Sequence, residues 1–221
     1  MFRKVKPYFI TLIIIAGLVF WWKLTRLPIP PGEESKPVDK IIASDWVLGN
    51  PEGIIQVVEY SDFQCPACAY YKDFGNDLAK LYGDKVGFAF RHYPLREIHK
   101  NSDLSAQAAE VAGKQGKFFE MAEVLFENQS DWSESPKVLE KIVSLAESIG
   151  LNKDDFRREI DDKNIKALVE ADYLSGLVAR IDQTPTFYVN GQKMNNLQGP
   201  SDLMARVELA LQEATKSGLT Q

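Results

Sequence analysis

Hydrophobic and polar positions divide the chain into segments of clearly different period. From Ile54 to Tyr60 nearly every position is apolar, the pattern of a strand covered on both faces. Pro66 suits the first turn of a helix, which the pattern carries to about Tyr82 before Gly83-Asp84 turns the chain. Val86, Phe88 and Phe90 then alternate with Gly87, Ala89 and Arg91, predicting a second strand up to Tyr93. Strand, helix and strand with a crossover of this length make a βαβ unit. A shorter strand over Asp45–Leu48 precedes it, ended by the dense turn signal Gly49-Asn50-Pro51-Glu52-Gly53.

From about Ser102 to Ile181 every segment has helical spacing: Leu104–Lys114, Lys117–Asn128, Pro136–Ile149, Lys153–Ile160 and Asn164–Arg180. Gly116, Ser130-Asp131-Trp132-Ser133 and Gly150-Leu151-Asn152 punctuate them, with Trp132 and Phe126 as core residues. Strand character returns at Thr184–Val189 and Gln192–Met194 on either side of Asn190-Gly191, a strong hairpin cue. Gly199-Pro200-Ser201 leads to a last helix in which Leu203, Val207, Ala210 and Leu211 recur at helical spacing. The order predicts an α/β fold: a mixed sheet whose halves are separated by an all-helical insertion at about residues 100–181, set over one face.

The first residues have a different character. Arg3, Lys4 and Lys6 precede an uncharged aliphatic and aromatic run from Pro7 to Trp22. Sixteen helical residues reach roughly 24 Å, between a signal-peptide core and a bilayer core of about 30 Å. No small-x-small cleavage pattern follows, while Trp21, Trp22, Lys23 and Arg26 suit a lipid–water boundary. An uncleaved transmembrane anchor is the expectation over 1–27, with a cleaved signal as the alternative. The basic end stays inside, so the remainder is placed outside the cytoplasmic membrane. Three prolines within four residues make 28–42 a semi-rigid linker, leaving 43–221 as the folded domain. Residues 28–221 together carry 21 basic against 31 acidic side chains, which argues against nucleic acid as a partner.

The chain's two cysteines stand together as Cys65-Pro66-Ala67-Cys68, where strand gives way to helix. A dithiol so spaced closes to a Cys65–Cys68 disulfide and reopens at small conformational cost, the arrangement of a redox centre. Cys65 falls at a helix N-terminus, where unpaired N–H groups favour the thiolate, the attacking species in disulfide exchange. Cys68, one turn further in, is the resolving thiol. Zinc is disfavoured, because His92 and His99 stand at no usual ligand spacing from the cysteines. No metal and no cofactor is expected. Thr184-Pro185 opens a strand opposite the cysteines; a cis bond there frees main-chain groups of residue 184 to hold an extended substrate beside the sulfurs. Glu59, inside an apolar strand, is either a buried acid serving Cys68 or an outward-facing side chain at the strand end. Phe63, Tyr70 and Tyr71 form an exposed rim, and His92 and His99 are left to packing.

At Val57-Val58-Glu59-Tyr60-Ser61-Asp62-Phe63-Gln64-Cys65-Pro66-Ala67-Cys68, Phe90-Arg91-His92-Tyr93-Pro94-Leu95 and Thr184-Pro185-Thr186-Phe187-Tyr188-Val189-Asn190-Gly191 the chain closely resembles the DsbA-like thiol:disulfide oxidoreductases of the thioredoxin superfamily. The resemblance spans about Ile42 to Leu211. It implies a thioredoxin-like fold, Cys65 as nucleophile, Cys68 as its partner, Glu59 as buried acid and Pro185 as a cis proline. Thr184, Pro66 and Ala67 are then the substrate-facing positions. It also implies a bacterial envelope setting, exported proteins with free thiols as substrates, and reoxidation by a quinone-linked membrane enzyme. The chain departs from the strongly oxidising members in Ala67, where those often carry His. The expectation is therefore a moderately oxidising enzyme that forms disulfides, with an isomerase or reductase, or a non-redox peptide-binding chaperone, as the alternatives.

Overall fold

The computed structural model describes residue 38 and residues 40–218. The expected anchor at 1–27 and most of the linker at 28–42 lie outside the described residues. Among the described residues no helix is long and apolar enough to cross a membrane.

The sheet is built from β1 (Trp46–Gly49), β2 (Ile55–Ser61), β3 (Val86–His92), β4 (Thr186–Val189) and β5 (Gln192–Lys193). Their order is β1-β3-β2-β4-β5, with β2 parallel to β3 and the other pairs antiparallel. Between β2 and β3 run α1 (Pro66–Tyr70) and α2 (Phe74–Tyr82). The insertion contains α3 (Ser102–Gly113), α4 (Phe118–Glu127), α5 (Gln129–Trp132), α6 (Val138–Ser148), α7 (Lys153–Glu159) and α8 (Lys163–Val178). The last helix is α9 (Pro200–Lys216).

Every residue of β2 and β3 is buried, so the nearly continuous apolar run of β2 records two covered faces. Side chains alternate across the sheet. Ile55, Val57, Phe88, Phe90, Phe187 and Val189 point into the larger core, to which helices α1 to α9 contribute. Val58, Tyr60, Ala89 and Tyr188 belong to a second core with Tyr93, Ala179 and Ile181. The β4–β5 turn is a two-residue one in which Asn190 and Gly191 both have positive φ (48° and 81°), as the Asn-Gly pair demands.

Two segments depart from the sequence-based expectation. The helix carried from Pro66 to about Tyr82 breaks at Tyr71–Asp73. There the bonds tighten to i→i−3, Tyr71 N–H to Cys68 O (2.9 Å) and Phe74 N–H to Tyr71 O (2.9 Å). Beyond the break Phe74 packs edge-on against Phe88 and Phe187. Second, most of Ser130-Asp131-Trp132-Ser133, read as punctuation, belongs to the short α5, with Trp132 fully buried and its Nε1 donating to Leu125 O at 2.7 Å.

On the second face α8 approaches closely because residue 176 lacks a side chain. A Cβ there would stand 2.4 and 2.6 Å from ring carbons of Tyr93. Gly176→Ala should lower stability by about 1 kcal/mol net, because overpacking costs of about 1–3 kcal/mol exceed the helix-propensity gain of about 1. The urea midpoint should fall; a rise would mean that the ring moves aside freely.

Candidate active site

β2 delivers the chain to the loop Asp62-Phe63-Gln64, and Cys65 follows as N-cap of α1 in an extended conformation (φ −77°, ψ 120°). Pro66, at the first helical position, has no N–H to leave unpaired. Both cysteines are free thiols, so the structure holds the dithiol form of the pair. Cys65 is 6% exposed and Cys68 fully buried. The Cys65 thiol donates to the Thr184 carbonyl at 3.4 Å, which brings the second motif against the first across 119 residues. The Thr184–Pro185 peptide is cis.

The two sulfurs have opposite electrostatic fates. The Cys65 thiol is lowered from 9.0 to about 5. The largest cause is the hydrogen bond from the Cys68 thiol; burial opposes it, and the Thr184 hydroxyl and the N–H groups of Cys68 and Ala67 add to the lowering. Cys68 is pushed well above the ordinary thiol range, first by burial, then by the hydrogen bond to Cys65 and the charges of Cys65 and Glu59. The helix-terminal N–H groups therefore play the part expected of them, but second to the neighbouring thiol.

Glu59 is 4% exposed, which removes the outward-facing alternative. Its register explains this: Glu59 pairs with Phe90 on one side and Phe187 on the other, in the middle strand of the sheet. Burial raises its carboxyl from 4.5 to about 8; the Ser61 hydroxyl lowers it somewhat and the charge of Cys65 raises it. A cavity of about 30 Å³ touches Glu59 and is lined also by Lys72, Gly75, Asn76, Phe88 and Phe126, enough space for one water. The buried hydroxyls of Ser61 and Thr184 make no hydrogen bond in the resting geometry; turned toward the site, Ser61 favours the ionised forms of Glu59 and Cys68, and Thr184 that of Cys65.

Beside the sulfurs a groove of about 480 Å³ is lined by Ala67, Tyr71, Thr184, Pro185, Met194 and Leu197, among others. Pro66 and Ala67 are exposed at its edge of the molecule. The rim expected from Phe63, Tyr70 and Tyr71 needs correction. Tyr70 is 68% exposed, but Phe63 is 1% exposed, because its ring stacks on Phe90 at 5.0 Å and meets Phe126 at 4.9 Å. Tyr71 is half-buried against Phe187.

Sequence reasoning passed over the supports of the cysteine loop. Gln129 Nε2 donates to Phe63 O (2.8 Å) and Cys65 O (3.0 Å). Gln64 Nε2 donates to Ser133 O at 2.9 Å, and Gln64 Oε1 accepts from Asn101 N–H at 2.8 Å. The insertion thus grips the main chain on which the nucleophile sits. His92 pairs with Glu110 at 3.1 Å and His99 with Asp62 at 2.7 Å.

Residues 43–208 match the thioredoxin family. The chain belongs to that family. Its fold is that of the DsbA-type proteins. It is similar to oxidised BdbD from Bacillus subtilis, with 26% identity, a TM-score of 0.71, and coverage of 81% of this chain and 100% of that one. α-DsbA1 from Wolbachia pipientis has the same fold, with 21% identity, a TM-score of 0.69, and coverage of 80% of this chain and 95% of that one. Among curated proteins, Na(+)/H(+) antiporter NhaA 1 of Mycobacterium sp. (strain KMS) is 34% identical over 204 residues, which is 86% of this chain and 31% of the antiporter. The chain spans between a quarter and a third of the length of such relatives.

Proposed function

We propose that this thioredoxin-family chain forms disulfide bonds in exported proteins, by exchange through Cys65-Pro66-Ala67-Cys68. The observation that carries the reading is the asymmetry of the pair: an acidified thiol within reach of Thr184, and a buried partner pushed upward above a protonated Glu59.

In the oxidising direction a substrate thiolate attacks Cys65 Sγ of the Cys65–Cys68 disulfide. The Cys65–Cys68 bond breaks, a substrate–Cys65 bond forms, and Cys68 leaves with the electron pair. Glu59, a carboxylic acid at neutral pH because its carboxyl is raised to about 8, gives Cys68 a proton. A second substrate thiolate then attacks the substrate's own sulfur in the mixed disulfide. The substrate leaves oxidised by two electrons, and Cys65 departs as the stabilised thiolate. Thr184 and Pro185 hold the substrate main chain beside the sulfurs, with Pro66 and Ala67 facing it. Reoxidation by a quinone-linked membrane enzyme returns the pair to the disulfide, and Glu59 takes the proton back.

The setting belongs to the same proposal. Residues 1–27 anchor the chain in the cell membrane with the N-terminus cytoplasmic, 28–42 space it, and 43–221 work on the extracytoplasmic side. The basic cluster ahead of the apolar run supports this.

Equilibration of the pair with glutathione buffers tests the direction of electron flow. A reduction potential of roughly −100 to −180 mV is expected, a range that takes in the values of strong oxidants and isomerases. A value near −270 mV, in the range of thioredoxin itself, would instead mean a reductase. Replacing both cysteines by Ser should abolish oxidation of reduced substrate proteins; full retention of a protective effect on unfolded chains would favour a chaperone.

A further inference from the structure

Asp62 sits between β2 and Cys65, and nothing in the exchange chemistry above uses it. Its side chain is fully buried. Three N–H donors converge on the carboxylate: Gln64 N–H on Oδ1 at 2.8 Å, and Leu95 N–H and His99 Nδ1 on Oδ2 at 2.9 and 2.7 Å. A carboxylate only accepts, so His99 carries its proton on Nδ1. The main chain of the same residue reaches both cysteines. Asp62 O accepts from Cys65 N–H at 3.0 Å, and Asp62 N–H points at Cys68 Sγ at 3.5 Å.

We propose that Asp62, braced by His99, is a positioning residue for Cys68, holding a main-chain donor on the sulfur that must ionise in order to resolve a mixed disulfide. The inference rests on the exchange reading above and adds to it. Cys68 lies at the base of the site with no exposed surface, so its thiolate depends on nearby donors rather than on water. An N–H aimed at sulfur helps only while its peptide plane is held in orientation. Ser61 O, at the other end of that plane, accepts from Tyr93 N–H at 2.8 Å, and the brace secures the Asp62 end from outside the loop, because Leu95 and His99 lie beyond β3, more than thirty residues away along the chain.

The two half-reactions separate this role from a general structural one. Dithiobis(nitrobenzoate) is attacked by the Cys65 thiolate, forming a mixed disulfide and expelling one thionitrobenzoate. Cys68 then attacks Cys65 Sγ, the protein disulfide closes, and the second thionitrobenzoate leaves with the electron pair. Asp62→Asn sets an NH₂ group against one of the N–H donors. The second release should slow about tenfold, as for loss of roughly 1.4 kcal/mol from a charged hydrogen bond, while the first stays within about twofold. His99→Phe, which keeps bulk and loses the donor, should slow the second release by about threefold. His99→Asn, whose amide N–H stands where Nδ1–H stood, should restore it. His99→Phe carries the test if Asp62→Asn does not fold. Equal slowing of both releases, or an unchanged second release in both variants, overturns the proposal. Failure of the exchange reading itself would appear in the unmodified protein, as a single release with no second phase.

Discussion

Between pH 5 and pH 7 the dithiol form should gain up to about 2 kcal/mol of stability over the disulfide form. In the folded dithiol chain Cys65 ionises near 5; an unstructured cysteine ionises near 9. A thiol acidified by folding stabilises the fold above its unfolded value, and that contribution is lost as pH falls through the folded value. At pH 7 Cys65 lies two units above the folded value and at pH 5 it lies on it, a difference of about 2 kcal/mol. Solvent at the outer edge of the sulfur screens part of this, trimming it toward about 1 kcal/mol. The disulfide form has no such titration, and the chain-entropy effect of its short loop does not depend on pH. Denaturant unfolding of both redox forms at the two pH values measures the change in gap directly. A gap that stays constant would mean that Cys65 is an ordinary thiol and would remove the driving force assigned to it.

Glu59→Gln should stabilise the protein by about 3 kcal/mol at pH 7 and impair its chemistry. Burial between Phe90 and Phe187 raises the carboxyl from 4.5 to about 8. The unfolded chain releases this proton near 4.5 and the folded chain holds it to about 8, so folded stability falls as pH rises across that window. At pH 7 the loss covers two and a half units, about 3 kcal/mol. Gln has nearly the same shape and no charge to bury, so the advantage of the variant should vanish near pH 4. Release of a mixed disulfide by Cys68 should slow in the variant and lose its rise with pH toward 8. A variant no more stable at pH 7 than at pH 4 would place the carboxyl in contact with water.

The parts of the architecture legible in the sequence are those with local causes. The nearly continuous apolar run of β2, the alternation in β3, Asn190-Gly191 and the chain of helical segments each carry their own period. The cysteine pair and Thr184-Pro185 could be assigned to one site because each is a compact motif. What escaped depends on contacts between distant segments. The break at Tyr71–Asp73 accompanies the packing of Phe74 on Phe88 and Phe187, and of Gly75 so near the Phe88 ring that a Cβ would stand 2.6 Å away. Phe63 looked like a rim residue because its loop is short and polar, yet Phe90 and Phe126 draw it inward. Asp62 and Gln129 carried no signal at all, since the partners that give them their roles in other segments lie 33 to 66 residues away.

The amide of Gln129 has a bearing on how this protein could be cut or transplanted. It caps two carbonyls of the cysteine loop from outside the sheet, so a minimal version stitched from β1–β3 and β4–α9 would lack these ligatures beside its reactive atom. Trimming the helices away would loosen the seat of Cys65 as well as shrink the molecule. Grafting the tetrapeptide alone onto another scaffold would transfer the sulfurs without the scaffolding that aims them.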